Sequence, residues 1–160
     1  MPIKLRPGKI SDLKAIQDLS LGLFEKEVVD YDPLLDCAWP HDERGTQYFT
    51  DRLTKPGNFL AVVENEAGKL VGYLSGGVEK CEDFRKPFKL AELADMFVLP
   101  ECRGQGVGGR LVDAFLDWCR QNKVDVVKVV ASTGNVRGLD FYKAHGFQDY
   151  DTTLELKLRR

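Results

Sequence analysis

Residues 97–111, Phe-Val-Leu-Pro-Glu-Cys-Arg-Gly-Gln-Gly-Val-Gly-Gly-Arg-Leu, decide how the rest of the chain is read. A β-prone apolar run from Leu93 to Leu99 stops at Pro100, and the glycine-dense stretch Arg103 to Gly109 follows. The chain then takes on helical spacing, with Val107, Leu111, Phe115 and Trp118 on one face. A strand, a glycine loop and a helix start in that order form an anion cradle. The first amides of a helix have no partner within it, and the helix dipole favours negative charge there. Glycine costs stability near a helix start, so Gly104, Gly106, Gly108 and Gly109 point to a conformational or close-approach need. The apolar helix residues read as core rather than as ligand contacts.

Two phosphate-loop patterns fail on their companions. A nucleoside-triphosphate loop needs Lys-Ser/Thr after its second glycine, and Arg110-Leu111 follows Gly109. Gly104, Gly106 and Gly109 do spell Gly-x-Gly-x-x-Gly, the dinucleotide fingerprint. That motif also needs an acid at the end of the next strand, where this chain has Ala131-Ser132-Thr133.

A third pattern fits. Arg103, Gly106 and Gly108 match Arg/Gln-x-x-Gly-x-Gly/Ala, and Phe97-Val98-Leu99-Pro100 matches the aromatic-Val-x-Pro end of the preceding strand. Asn135, Phe141-Tyr142 and Gly146-Phe147 follow in order. By these motifs the chain resembles the Gcn5-related N-acetyltransferase (GNAT) family, most clearly over residues 90–148.

The element pattern agrees with that likeness. Ile3–Arg6 reads as a strand, and Ser11-Asp12 caps a helix with Leu13, Ile16, Leu19, Leu23 and Phe24 on its apolar face. A second helix is predicted over 43–53. Phe59–Val63 and Leu70–Gly77 read as a hairpin turned at Glu66-Ala67-Gly68-Lys69. Lys89–Leu99 is the next strand, and a helix covers 105–122. Asp125–Ala131 is a continuous apolar run expected at the centre of the sheet. Val136–His145 is a helix closed by Gly146, and Thr152–Leu158 alternates as a final strand. The order β-α-α-β-β-β-α-β-α-β is α/β: a mixed, mostly antiparallel central sheet flanked by helices, in one domain over residues 1–160.

Composition narrows the function. With 43% hydrophobic and 30% charged residues the chain reads as globular, and a net charge of −2 argues against a general nucleic-acid or membrane-surface binder. No apolar run approaches the roughly 18–20 residues that span a bilayer. Met-Pro-Ile-Lys-Leu-Arg at the start lacks the apolar segment of a secretory signal, so a cytoplasmic location is expected. Cys37, Cys81, Cys102 and Cys119 are scattered, and with only His41 and His145 beside them no metal site is expected.

The resemblance implies acetyl-coenzyme A as co-substrate and direct attack of an amine on its thioester. Amides of Gly104, Gln105, Gly106, Val107, Gly108 and Gly109 would hold the pyrophosphate, with Arg103 adding charge-assisted bonds. Backbone groups of Met96, Phe97 and Val98 would pair with the pantetheine arm and the acetyl oxygen. Asn135 would bond that arm, and equally suits a helix N-cap. Tyr142 would return a proton to the leaving thiolate, which a phenol of ordinary pKa, about 10, does without mismatch. Glu92 matches the position of the family's base, with Asp95 a second carboxylate. Their odd separation on a strand puts them on opposite faces unless a bulge intervenes. Many family members deprotonate the amine through water instead. His145, in a last helical turn, reads as structural.

Residues 25–36 hold Glu25, Glu27, Asp30, Asp32 and Asp36 against Lys26. The family's first two helices wall the acceptor cleft, so Tyr31 and Asp32 are candidate substrate contacts, with Trp39 a further aromatic. An acidic wall would favour a cationic small-molecule amine or peptide amino group; an ordinary solvated face explains the same charges. The resemblance allows a homodimer. It also leaves open a non-catalytic module that binds acyl-coenzyme A as a sensor.

Overall fold

The computed structural model describes residues 2–159. Its elements are β1 (Ile3–Pro7), α1 (Leu13–Asp30), α2 (Glu43–Thr54), β2 (Asn58–Asn65), β3 (Leu70–Glu79), β4 (Leu90–Val98), α3 (Val107–Gln121), β5 (Val126–Val129) and α4 (Val136–Ala144). Single 3-10 turns at Ile10–Asp12, Trp39–His41 and Pro100–Cys102 lead into α1, α2 and the glycine loop. The five strands lie in chain order, β1 to β4 antiparallel and β5 parallel to β4.

Each face of the sheet carries its own core. On one side, Val107, Leu111, Val112, Phe115 and Cys119 of α3 pack on Ala61, Val63, Val71, Leu74, Ala91, Leu93 and Val98. On the other, Ile16 and Leu19 of α1 and Phe49 of α2 pack on Leu60, Val62, Leu70, Tyr73 and Phe97. The helical spacing in α3 therefore marks core, as its sequence indicates. The β2–β3 turn falls at residues 66–69, where the Asn65 side-chain oxygen accepts from the amides of Ala67 (3.1 Å) and Lys69 (3.0 Å).

Two strand expectations fail. The apolar run near residue 125 was expected at the sheet centre; β5 instead forms the edge, with Val126 46% exposed. Its apolar residues are covered on one face only, and Lys128 alternates with the valines that face α3. The final strand over Thr152–Leu158 does not form, and those residues are exposed and irregular. Their alternation suits a strand, but a strand needs a partner ladder, and this segment has none among the described residues. Consequently the observed order ends at α4.

The feature that shapes the site lies in the β3–β4 pairing. Ser75 pairs with Asp95 and Gly76 with Leu93, so Ala94 has no counterpart and forms a bulge. Gly76 makes this register possible. A Cβ there would sit 2.5 Å from the Glu92 carbonyl oxygen and 2.8 Å from the Phe115 ring. Gly76→Ala is expected to cost about 1–3 kcal/mol through overpacking, read as a lower denaturant midpoint at unchanged slope. Wild-type stability in that variant would show that the strand and ring yield freely.

Candidate active site

β4 runs beside β3 over its whole length, yet it pairs with β5 only from Leu90 to Leu93. From Ala94 onward the strands part, and the β5-side backbone of Met96, Phe97 and Val98 has no strand partner. The opening leads to the glycine turn. Gly104 and Gly106 take φ of 73° and 77°, which other residues rarely adopt, and nothing lies within 4 Å of a Cβ built on either. Gly108 and Gly109 lie against α4 instead. A Cβ on Gly108 would meet the Phe141 ring at 3.4 Å, and one on Gly109 would meet His145 Nε2 at 3.4 Å. These are ordinary contact distances, and they place Phe141 and His145 of the α4 end against the first turn of α3.

Arg103 folds back toward its own strand. Its Nε donates to the Val98 carbonyl at 2.8 Å, and the guanidinium lies 5.2 Å from the Phe97 ring centre. This bond holds the end of β4 at the loop and uses one carbonyl of the expected cofactor edge. Asn135 caps α4, its side-chain oxygen accepting from Gly138 N at 2.9 Å, which leaves its amide nitrogen free of that bond.

The bulge corrects the expectation for the paired carboxylates. Ala91, Leu93, Met96 and Val98 share the α3 face. Alternation shifted by one residue at Ala94 puts Glu92, Asp95 and Phe97 together on the α1/α2 face. Glu92 is ion-paired with Lys128 at 2.9 Å. Asp95 accepts from the Ser75 hydroxyl and, at 3.2 Å, from the Tyr48 hydroxyl. Burial pushes its pKa above the usual carboxylate range, while Ser75, the nearby Arg52 and Tyr48 pull the other way.

Tyr142 sits at the α4 side of the opening, packed edge-on between Phe141 and Phe147 at 5.3 and 5.7 Å. Burial pushes its phenol up to about 12, and the negative charges of Glu27 and Asp95 add to the shift. Its hydroxyl makes no hydrogen bond among the described residues. A phenol held protonated with a free O–H is equipped to donate.

The acidic run of residues 25–36 divides. Asp30 pairs with Lys26, Asp36 with Arg44 at 3.2 Å, and Asp32 accepts from Leu34 N at 3.0 Å within its own turn. Glu27 is the one turned inward, and burial raises its pKa, with Asp95 and Asp32 adding to the shift. Tyr31 packs on the loop before α4, 3.4 Å from where a Gly134 Cβ would be, with Lys26 over its ring at 5.1 Å. Trp39 does not reach the cleft as an aromatic contact. It stacks on Phe24 at 5.5 Å and packs against Tyr48 at 5.3 Å inside the α1/α2 core. His145 Nδ1–H donates to the Phe141 carbonyl (2.8 Å), in keeping with a structural reading, and His41 pairs with Asp18 at 2.8 Å.

Sequence reasoning did not single out Tyr48, Ser75 or Arg52. Ser75 carries a faint signal, as the one hydroxyl in the apolar strand Leu70–Gly77 apart from Tyr73. Tyr48 and Arg52 lie on a helix with no motif around them.

The acetyltransferase (GNAT) family model matches residues 21–147 of this chain. The chain belongs to the GNAT family. Among its relatives is the L-methionine sulfoximine/L-methionine sulfone acetyltransferase of Pseudomonas aeruginosa, 26% identical over 149 residues, which are 92% of this chain and 81% of that one. In fold it is similar to the BH1408 protein from Bacillus halodurans, with a TM-score of 0.86 at 19% identity, covering 98% of this chain and 99% of that one. It is likewise similar to the aminoglycoside N-acetyltransferase AAC(6')-Iy, solved in complex with CoA, with a TM-score of 0.77 at 16% identity over 99% and 96% of the two chains. This GNAT chain is therefore an acyltransferase with acetyltransferase activity of the family's type. No helix among the described residues is long and apolar enough to cross a membrane.

Hydrogen bonds to a carboxylate favour its charged form, so Tyr48→Phe is expected to move Asp95 to a still higher pKa. A carbon-detected NMR titration of the aspartates reads the shift directly. An Asp95 signal unmoved by the substitution would show that the Tyr48 bond does not hold the carboxylate.

Proposed function

We propose that this protein is an N-acetyltransferase that moves an acetyl group from acetyl-coenzyme A to a primary amine of a small molecule or peptide. One observation carries the reading: the unpaired edge of Met96 to Val98 leads into an open glycine turn at the head of α3, with Tyr142 and Asp95 on either side.

These residues suit coenzyme A. The amides from Gly104 to Gly109 would hold a pyrophosphate at the head of α3, with open space around Gly104 and Gly106. The guanidinium nitrogens of Arg103 not bonded to Val98 supply positive charge beside it. Met96, Phe97 and Val98 offer backbone donors and acceptors to an extended amide-bearing arm, as a missing strand would, and Asn135 adds its side-chain amide. When bound, the cofactor supplies an activated acetyl thioester. Backbone N–H groups of Met96 to Val98 would polarise its carbonyl and stabilise negative charge developing there.

An ammonium has no lone pair, so the amine must first lose a proton. Asp95 is placed to accept it, directly or through a water. Desolvation raises its basicity, and Tyr48 and Ser75 fix its orientation. Glu92 is the second carboxylate on that face, steadied by Lys128. Tyr142, kept neutral by its raised pKa, donates a proton to the departing thiolate. Glu27 and Tyr31 form the α1 wall of the acceptor space, where the negative charge of Glu27 and Asp95 favours a cationic acceptor. Asp32 shapes the turn that follows. The amine-bearing substrates named for the relatives fit this chemistry.

A thermal-shift comparison tests the binding step: acetyl-coenzyme A should raise the melting temperature, while NAD and ATP should not. Amine-dependent thiol release over an acceptor panel tests turnover. Tyr142→Phe should keep cofactor affinity and lose kcat by on the order of 100-fold. Asp95→Asn should lower kcat/KM and flatten the acidic limb of the pH profile, with a smaller effect from Glu92→Gln. Stabilisation without thiol release from any amine would leave a cofactor-binding module in place of the proposed enzyme.

A further inference from the structure

Arg52 is a cation kept largely out of water beside the candidate site, and the chemistry proposed above gives it no part. Its side chain is 11% exposed. Burying a guanidinium is costly unless its nitrogens find partners. Nη1 donates to the Asn58 side-chain oxygen at 2.9 Å, and the Asn58 amide donates in turn to the Asp51 carbonyl at 3.2 Å. Nη2 lies 3.6 Å from Glu79 at the end of β3. The seat exists because β3 carries no side chain there: a Cβ on Gly77 would meet Nη1 at 2.6 Å. Tyr48 stands one helical turn earlier on α2, and the guanidinium carbon lies 5.0 Å from its ring centre. Trp39 and Phe49 close on the same ring at 5.3 and 5.0 Å. The hydroxyl of that ring reaches Ser75 at 3.3 Å and Asp95 at 3.2 Å.

We propose that Arg52 is a positioning residue: anchored over Gly77 by Asn58 and Glu79, it clamps the Tyr48 ring and so keeps the Tyr48 hydroxyl on Asp95. The consequence for turnover rests on Asp95 being the base, as proposed above. Asn58 and Glu79 belong to β2 and β3, so the clamp ties α2 to two strands of the sheet. A hydroxyl shared between a serine and a carboxylate keeps its geometry only while its ring is locked.

Asp95 faces Tyr73 and Ser75 from β3, Tyr48 and Arg52 from α2, Glu27 from α1, Tyr142 from α4 and Glu92 on its own strand. Arg52 brings positive charge to that group, and Lys128 of β5 is paired with Glu92. Removing Arg52 takes away a favourable charge and loosens a hydrogen bond, and both changes favour the protonated acid. A base must be ionised to accept a proton, so the loss of activity starts at the acid side and moves to higher pH.

Carbon-detected NMR should find the Asp95 titration at higher pH in Arg52→Met than in wild type. Arg52→Lys keeps the charge but cannot lie flat on the ring, and it should move the titration the same way by less. Arg52→Met added to Tyr48→Phe should move it by less than Arg52→Met does alone. If Arg52→Met does not fold, Arg52→Lys carries both comparisons. With an acceptor amine, the acidic limb of kcat/KM should follow the titration. At neutral pH kcat/KM should fall on the order of 10-fold, the loss of one hydrogen bond to a charged group. The thermal shift given by acetyl-coenzyme A should match wild type, which separates the clamp from general loosening of the fold. An Asp95 titration unmoved in the folded variants overturns the proposal. So does an equal movement with and without the Tyr48 hydroxyl, because Arg52 then acts by charge alone. A titration that moves while the activity limb stays in place upholds the clamp and removes Asp95 as the base.

Discussion

The site depends on β4 having a neighbour on one side and losing it on the other. Alongside β3 the strand is paired to its end, which fixes it in the sheet. On the other side β5 accompanies it only to Leu93. An unpaired strand interior in a protein core is normally forbidden, because each bare N–H and C=O forfeits a hydrogen bond. Here the cost is reduced by opening the gap to solvent and to the glycine turn, and by Arg103 taking one carbonyl. Such an edge is prepared for a ligand that resembles a peptide backbone.

The bulge at Ala94 falls at the residue where the two strands part. It moves Asp95 onto the face already occupied by Glu92, so that α2 reaches it through Tyr48 and β3 through Ser75. Desolvation and hydrogen bonding then compete over the same carboxylate, with desolvation the larger. Tyr142 experiences desolvation without a bonding partner and rises further into its neutral form. A carboxylate with its pKa raised and a phenol kept protonated thus lie on opposite sides of one opening.

Charge in the α1–α2 connection is mostly consumed locally. Of the five acids between residues 25 and 36, Glu25 is exposed, Asp30, Asp32 and Asp36 are bound to their own surroundings, and Glu27 is half-buried with its pKa raised.

Helices, hairpin and glycine loop were legible in the sequence because each rests on local rules: apolar periodicity, turn chemistry and the need for positive φ at Gly104 and Gly106. The motifs around Arg103, Asn135 and Tyr142 likewise point to the family from the sequence alone. Sequence did not disclose the parting of β4 from β5, the bulge that reunites Glu92 with Asp95, or the roles of Tyr48 and Ser75. Nor did it reveal that β5 lies at the edge and that Thr152–Leu158 finds no partner among the described residues. Strand pairing joins residues far apart in the chain, and a shift of one position exchanges the faces of all that follow. Alternation along one strand cannot report such a shift, because the shift is a property of two strands together.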